Sequence, residues 1–213
     1  MKTRIALFGP PGSGKGTQAK YLAECWELRH ISTGLILRQA IAAKTSVGRK
    51  AEVYMNKGDL VPDHLVHQVV EDSLGQVGYD NFVLDGYPRR LLQAQQLDKI
   101  LGERGRHLDM VLLLTLPTEI IVKRLTRRRV HKLTGEVFHL DYKPPTGIDP
   151  KLLVLRPDDR RDVVWERLRV YRAQTQPVED WYRKRGLLIE IDADGSIDEV
   201  HERVDLALAG GSP

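Results

Sequence analysis

A glycine-rich loop near the start of the chain carries the clearest chemical signal. Residues 9–17 read Gly-Pro-Pro-Gly-Ser-Gly-Lys-Gly-Thr and follow the apolar run Ile5-Ala6-Leu7-Phe8. Glycines let successive backbone N–H groups converge on phosphate oxygens, the N-terminus of a following helix adds positive potential, and Lys15 would reach the outer phosphates. Because the loop lies between a predicted strand and a predicted helix, we interpret it as a phosphate-binding loop rather than a turn with an incidental lysine.

The residue after the lysine indicates how a magnesium ion would be held. In the usual loop of this kind a Ser or Thr follows the lysine and binds Mg²⁺, but here Gly16 follows it and the hydroxyl comes one position later, at Thr17. Since Mg²⁺ keeps several of its waters, we expect phosphates and water to hold it, with a carboxylate acting through water. Asp85 is the candidate, because it ends the apolar run Phe82-Val83-Leu84 at the ligand-facing edge of a parallel sheet. A helix-cap or turn role for Asp85 stays open.

Apolar runs alternate with helical patterns along most of the chain and provide the elements that would position these groups. Strands are predicted at 5–8, 82–85, 110–116 and 187–191, and helices at 15–24, 62–74 and around 164–171. Strands separated by helices predict an α/β fold, in which right-handed crossovers join a parallel sheet covered on both faces.

The stretch from Arg127 to Asp159 interrupts this alternation. It has no helical period and contains turn residues such as Pro144-Pro145. A loop-rich insertion of this length in a compact domain is usually functional, so we predict a lid or binding flap. Within it we expect Arg127 to lie in solvent and His131 to be a structural residue hydrogen-bonded to Thr134.

Composition and charge limit the classes of protein that fit. With 213 residues the chain can bury one core with small insertions, and its longest apolar runs, such as Met110–Leu114, are too short to span a bilayer. Cys25 is the only cysteine, which excludes an internal disulfide and a cysteine-based zinc site. The net charge of +4 favours an anionic partner without identifying it. We expect a cytoplasmic enzyme that has no structural zinc and does not contact a membrane.

Five sequence blocks, in the same order along the chain, resemble the motifs of the nucleoside monophosphate kinases and most of all those of adenylate kinases. The blocks are Gly9–Gln18, Ile31-Ser32-Thr33-Gly34 with Arg38, Asp85-Gly86-Tyr87-Pro88-Arg89 with Gln93, Arg128-Arg129-Val130-His131, and Asp158-Asp159 followed by Arg167. They cover nearly the whole chain and together are highly specific. The chain resembles the long-lid type of the family that lacks zinc cysteines.

The resemblance implies a fold of the P-loop NTPase type, with a five-stranded parallel sheet flanked by helices. It implies a single core domain over residues 1–213 that carries two mobile insertions. A nucleoside-monophosphate-binding subdomain would span 32–61, and the long lid would span 127–159. The implied activity is reversible, Mg²⁺-dependent phosphoryl transfer from ATP to AMP, which yields two ADP.

The resemblance also implies a role for each matching residue. The ATP site would comprise Gly12, Ser13, Gly14, Lys15, Gly16, Thr17, Arg124, Arg128, Val137, Phe138, His139 and Gly195. The AMP site would comprise Thr33, Gly34, Arg38, Asp59, Leu60, Val61, Gly86, Tyr87, Pro88, Arg89, Gln93, Arg156 and Arg167. Lys15, Arg89, Arg128, Arg156 and Arg167 would surround the transferring phosphoryl group, and Asp85 would act on Mg²⁺ through water.

The implied reaction requires cations rather than a general base. The attacking phosphate of AMP is already ionised, so the obstacles are repulsion between two polyanions and the charge on the moving group. Positioning and electrostatic stabilisation catalyse such transfers, and the planar donors of arginine bind phosphate oxygens in pairs. Because water would compete with AMP as the acceptor, a lid must close before these groups assemble.

Three departures from the family pattern lie beside the implied site. Leu35 occupies the position of an acidic residue that helps order magnesium-bound water in relatives, so we expect Asp85 to do more here. Tyr87 replaces a phenylalanine and Arg90 replaces a threonine. Neither change alters the implied phosphate ligands, but both could change base preference or rate.

Two other functions compete with this interpretation. A UMP/CMP kinase shares the loop and the arginines, but it usually has a short lid and a different residue where Thr33 stands. A basic nucleic-acid-binding module would interleave aromatic residues with Lys and Arg on one surface, whereas only 6% of this chain is aromatic and none clusters with the basic run at 127–129. We therefore expect ATP, AMP and ADP as partners, no nucleic acid, and a monomer, since both insertions need room to move.

Overall fold

The computed structural model describes residues 3–210, which contain two β-sheets and a set of surrounding helices. The strands are β1 (Arg4–Phe8), β2 (Arg29–Ser32), β3 (Phe82–Asp85), β4 (Met110–Thr115), β5 (Arg128–His131), β6 (Val137–His139), β7 (Leu153–Val154) and β8 (Leu188–Asp192). The α-helices are α1 (Lys15–Cys25), α2 (Thr33–Ala42), α3 (Ser46–Lys57), α4 (Asp63–Gln76), α5 (Leu91–Gly102), α6 (Thr118–Thr126), α7 (Arg161–Val170), α8 (Gln176–Arg183) and α9 (Ile197–Leu208). In this part of the chain, no helix is both long and apolar enough to cross a membrane.

The larger sheet confirms the predicted α/β fold. Its five strands lie in the order β2-β3-β1-β4-β8, and every neighbouring pair is parallel. β1 and β4 lie inside the sheet and are apolar except for Arg4 and Thr115 at their ends, because both of their faces are covered. Alternate residues of β4 serve opposite faces: Leu112 packs with α1 and α9, whereas Val111 packs with α4, α5 and α8.

The parallel register brings the ends of four chain segments to one edge of the sheet. Phe8, Ser32 and Asp85 each end a strand at this carboxyl edge, and Thr115 ends β4 there. Ligands of open parallel sheets bind in the crevice outside such an edge. The segments that follow these strands are therefore the ones that the sheet holds in position for chemistry.

The segment predicted to lack helices forms the second sheet. β5 pairs antiparallel with β6 and with β7, and single 3₁₀ turns precede and follow β7, at Pro150–Leu152 and Pro157–Asp159. His131 Nδ1 accepts a hydrogen bond from the Thr134 backbone N–H at 3.2 Å and lies 3.1 Å from the Thr134 hydroxyl. The small sheet is thus held by backbone pairing and by local turns rather than by a large apolar core of its own.

Most predicted element boundaries differ from the structure by one or two residues, and one helix differs in its geometry. The helix predicted to run through Tyr171 leaves α-helical geometry there, and a π-helical turn over Tyr171–Thr175 joins α7 to α8. The last strand is shifted by one residue, to Leu188–Asp192. Residues 211–213, part of the tail that we expected to fray, lie outside the described residues.

Candidate active site

The loop that the sequence predicts to bind phosphate connects β1 to α1 in a conformation that requires glycine. Gly9 has φ +135°, and a Cβ there would lie 2.5 Å from the Leu114 carbonyl oxygen. Gly14 precedes α1 with φ +98°, in the left-handed region that glycine enters without a steric penalty. Because Gly14 has no side chain, no side-chain cap occupies the first N–H groups of α1. These N–H groups and the partial positive charge of the helix terminus face the loop, where they suit a phosphate.

Lys15 lies across this loop rather than in solvent. Its Nζ donates hydrogen bonds to the carbonyls of Gly9 at 2.7 Å and Pro10 at 2.8 Å. Burial lowers the pKa of Lys15 to about 7, and the charges of nearby arginines, Arg89 foremost, act in the same direction, while Asp85 opposes them. A phosphate would replace the carbonyls as the partner of this ammonium and favour its charged form.

Asp85 lies at the end of β3, beside the loop, as an ionised carboxylate. Ser32 donates its hydroxyl proton to Asp85 Oδ2 at 3.0 Å, and His30 Nε2 lies 3.5 Å from the same oxygen. Burial acts to raise the pKa of Asp85, but the close contact with the His30 imidazole and the charge of Lys15 outweigh it and lower the pKa to about 2. A Cβ on Gly16 would come within 3.7 Å of Asp85 Oδ2, so the carboxylate faces the position that follows the lysine. One ionised carboxylate beside a phosphate loop suits a Mg²⁺ ion that keeps most of its waters.

A cavity opens between the start of α2, the α3–α4 connection and the start of α5. Ten of the residues predicted for the AMP site line it: Thr33, Gly34, Arg38, Asp59, Leu60, Val61, Gly86, Arg89, Gln93 and Arg167. The Gly86 carbonyl accepts hydrogen bonds from the Thr33 hydroxyl at 3.0 Å and from Arg89 Nε at 2.8 Å. With φ +83°, Gly86 leaves no room for a Cβ, which would lie 2.7 Å from Arg89 Nη2.

Three residues predicted for the AMP site lie outside the lining of this cavity. Tyr87 is 1% exposed and packs into the core, and its hydroxyl donates to the Gln93 carbonyl at 3.2 Å. Pro88 is buried beside it. Arg156 lies at the exit from the small sheet, before the 3₁₀ turn at Pro157–Asp159.

Two arginines from distant parts of the chain share one buried carboxylate. Asp159 is completely buried and accepts two hydrogen bonds from Arg128, at 2.7 and 2.5 Å. Arg167 Nη1 lies 3.1 Å from Asp159 Oδ1 and 3.1 Å from Asp158 Oδ2, and it also donates to the Asp158 carbonyl. The cluster connects the start of β5 to α7, which are 39 positions apart in the sequence.

The arginines crowd one another. Burial lowers the pKa of Arg38 to about 10 and that of Arg156 to about 9. Arg128 contributes to both decreases through like-charge repulsion, while Asp158 opposes them. Burial also lowers the pKa of Arg89, with Arg167 as the next cause. Guanidinium groups that repel one another in a half-buried crevice are stabilised by an anion placed among them.

The residues predicted to hold the ATP base come from the last turn of α6, from β6 and from the turn after β8. Arg124 Nη2 donates to the Gly195 carbonyl at 3.4 Å and lies over the Tyr142 ring at 5.5 Å. His139 and Tyr142 have ring centroids 4.5 Å apart, and burial lowers the pKa of His139, which keeps its imidazole neutral near pH 7. Phe138 is buried, whereas Val137 is 41% exposed.

Several residues of the site escaped the sequence analysis. Asp158 and Asp159 formed part of a motif but were given no role. Their position between Arg156 and Arg167, two predicted phosphate-binding arginines, was the feature that could have indicated one. His30 directly precedes the Ile31-Ser32-Thr33-Gly34 block, but only the pairing of β2 with β3 places it against Asp85. Tyr142 gave no signal in the sequence.

Comparison with known proteins identifies close relatives over the whole length. The family model described as Adenylate kinase matches residues 7–187. The chain is 47% identical over 206 residues to an adenylate kinase of Salinibacter ruber, covering 96% of this chain and 97% of that protein. It is 43% identical to adenylate kinases of Caldanaerobacter subterraneus subsp. tengcongensis (97% and 96% coverage) and of Archaeoglobus fulgidus (96% and 97%).

Proposed function

The chain belongs to the adenylate kinase family, and we propose that it moves a phosphoryl group between ATP and AMP within the arginine-lined crevice at the carboxyl edge of its sheet. The reaction is reversible and yields two ADP. The observation that carries the proposal is the convergence of Lys15 and its loop with arginines from α2, β5 and α7, together with the Arg89 side chain. These cations would surround the triphosphate of ATP and the single phosphate of AMP, placed end to end.

We assign the cavity at the start of α2 to AMP. Arg38 and Arg89 would bind its phosphate, since both residues line the cavity. Burial lowers the pKa of both guanidinium groups, and a bound phosphate would favour their charged forms. The base would lie deeper, near Thr33 and Gln93, which are 3% and 2% exposed. Leu60 and Val61 would offer their backbone groups to the adenosine.

ATP would place its phosphates on the loop and its base against the lid. The backbone of Gly12 to Thr17 would hold the phosphates, and Lys15 would release the carbonyls of Gly9 and Pro10 to reach them. Arg124, Phe138, His139 and the Gly195 backbone would surround the adenine. The neutral imidazole of His139 suits stacking on a base.

During transfer the side chains supply charge and position rather than a proton acceptor. Arg128 and Arg167 would turn from their carboxylates to the moving group, and Arg156 would join them there. Developing charge on the equatorial oxygens favours such planar, bidentate donors. Asp158 and Asp159 would hold two of these arginines in place when no nucleotide is bound. No residue is needed to deprotonate AMP, because its phosphate is already ionised.

Adenylate kinases generally use Mg²⁺ bound to ATP, and the residues here fit such an ion. We propose that Asp85 acts on it through water, held ionised by His30, Lys15 and Ser32. When bound, the ion neutralises charge on the phosphates and helps to align them. Leu35 supplies no oxygen, so Asp85 would orient the bound waters without help from that position.

We also propose roles for two segments of the chain, an oligomeric state and a cellular compartment. The segment 32–61, which contains α2 and α3, would be a nucleoside-monophosphate-binding subdomain, and 127–159, which contains the small sheet, would be a lid; each would close over its nucleotide and exclude water. We propose a monomer that works in the cytoplasm without structural zinc, nucleic acid or a membrane. An exposed free thiol at Cys25 suits a reducing compartment.

An acceptor panel tests the function directly. Purified protein with Mg-ATP should convert AMP to ADP with a kcat/KM far above those for CMP and UMP. A preference for CMP or UMP would instead support the UMP/CMP kinase alternative. An inactive protein that shifts nucleic acid in a salt-dependent gel assay would contradict the kinase assignment altogether.

A further inference from the structure

We propose that Asp63 and Arg90 are positioning residues that fix the direction of the Gln93 side-chain amide and so select adenine as the base of the acceptor nucleotide. The inference rests on the proposed function, because it deepens the role given there to Gln93. Gln93 lines the acceptor cavity and is only 2% exposed, so its amide is a buried polar group that a base in this cavity would meet.

A hydrogen-bond donor holds the oxygen of the Gln93 amide, and a hydrogen-bond acceptor holds its nitrogen. Gln93 Oε1 accepts a hydrogen bond from the Arg89 backbone N–H at 2.7 Å. Gln93 Nε2 donates to Asp63 Oδ1 at 2.6 Å. A backbone N–H can only donate and a carboxylate can only accept, so these partners define which end of the amide carries oxygen.

Rotating the amide by 180° would break both bonds and replace them with repulsive contacts. Nε2 would then face the Arg89 N–H, donor against donor, and Oε1 would face the Asp63 carboxylate, acceptor against acceptor. In a buried site such unpaired polar groups are costly because no water replaces the lost partners. The amide therefore offers its remaining lone pair and its remaining N–H at fixed places.

Arg90 holds the carboxylate that holds the amide. Its Nη1 lies 2.9 Å from Asp63 Oδ1, and its Nε donates to Gln174 Oε1 at 2.7 Å. Arg90 thus connects the first residue of α4 to the π-helical turn that follows α7. The side chains of Arg90 and Asp63 are 30% and 22% exposed, so their contact is partly protected from water.

A fixed amide distinguishes adenine from hypoxanthine. Adenine presents an acceptor at N1 and a donor at its 6-amino group, whereas hypoxanthine presents a donor at N1 and an acceptor at O6. The two nucleotides, AMP and IMP, have nearly the same shape, so discrimination must come from the direction of the hydrogen bonds. A site built to pair with one pattern rejects the reversed pattern, since the reversed base leaves buried groups unpaired.

The test compares AMP and IMP as acceptors with the full chain and Mg-ATP. Asp63→Asn keeps the size of the side chain but can either donate or accept, so we expect the AMP:IMP ratio of kcat/KM to fall by about tenfold or more, with KM for ATP unchanged. Arg90→Met should lower the ratio by less. Arg90→Lys, which can still pair with Asp63, should keep it.

Glu119→Gln is the matched control. α6, like α4, begins after a proline and carries an acid in its first turn. Glu119→Gln therefore removes an equivalent negative charge from the start of a helix, at a residue that does not line the acceptor cavity. It should leave the ratio unchanged. The proposal is overturned if Asp63→Asn lowers kcat/KM for AMP and IMP equally; if that variant does not fold, Arg90→Met takes its place in the test. The proposal is also overturned if Glu119→Gln shifts the AMP:IMP ratio as much as Asp63→Asn does. Wild-type protein without activity on AMP would contradict the proposed function instead.

Discussion

Replacing Asp159 with asparagine tests whether the arginine cluster stabilises the fold as the structure indicates. Asp159 is completely buried, while its partners Arg128 and Arg167 are 19% and 18% exposed. Asp159→Asn keeps the shape but removes the charge that compensates two guanidinium groups. We therefore expect destabilisation of the protein without nucleotide.

The expected size follows from burial. Breaking a buried ion pair by removing one partner costs about 3 to 5 kcal/mol, and we expect about 3 kcal/mol because water reaches part of each guanidinium. For a protein of this length, that corresponds to a decrease in Tm of about 6 to 12 °C. Thermal unfolding followed by circular dichroism at pH 7, without nucleotide, measures it.

Asp141→Asn is the matched control. Asp141 also accepts two hydrogen bonds from an arginine of the same region, Arg127, both at 2.6 Å, but this pair lies in solvent. Exposed pairs contribute little, so Tm should not change measurably. Equal decreases for the two variants, or none for Asp159→Asn, would refute the reasoning. ATP should also raise Tm more in Asp159→Asn than in wild type, because the freed arginines need an anion.

Three further predictions follow from the phosphate loop and its neighbours. Lys15→Ala should lower kcat by at least about a hundredfold with Tm nearly unchanged, and near-normal turnover would exclude the proposed role. The pKa of Lys15 is about 7 without nucleotide, against about 10.4 for a free lysine. Lys15 is thus largely neutral at pH 8, and binding of ATP, whose phosphates raise this pKa, should be accompanied by proton uptake. Calorimetry of ATP binding in buffers of different ionisation enthalpy should detect the uptake in wild type but not in Lys15→Met. Asp85→Asn should raise the Mg²⁺ concentration needed for half-maximal rate, and an unchanged requirement would argue for a purely structural carboxylate.

The sequence predicted those parts of the site that depend on local spacing. The order strand, glycine-rich loop, lysine and helix constrains the backbone within a few residues, so the phosphate loop could be recognised directly. Asp85 could be predicted because parallel strands bring their carboxyl ends to one edge. The buried strands were also predictable, since burial on both faces of the sheet requires continuous apolar runs such as Met110–Leu114. The helices α3, α5 and α9 were not predicted.

Contacts between distant segments could not be derived from spacing. Arg128 and Asp159 are 31 positions apart, and Asp63 and Gln93 are 30 apart, so their pairing depends on how each segment folds back over the sheet. The resemblance included Tyr87 in the AMP site, whereas packing turns its ring into the core. Arg90 was noticed only as a departure from a pattern. Its partners, Asp63 and Gln174, become visible only in three dimensions.

The most direct test of the account is a crystal structure with AMP, a non-hydrolysable ATP analogue and Mg²⁺ bound together. We predict that the two phosphate tails meet end to end, with Lys15 on the ATP side, Arg38 and Arg89 on the AMP side, and Arg128, Arg156 and Arg167 within about 3 Å of phosphate oxygens. An AMP phosphate bound away from Arg38 and Arg89, or arginines still paired with Asp159 around a filled crevice, would contradict the claim that these cations unite two nucleotides.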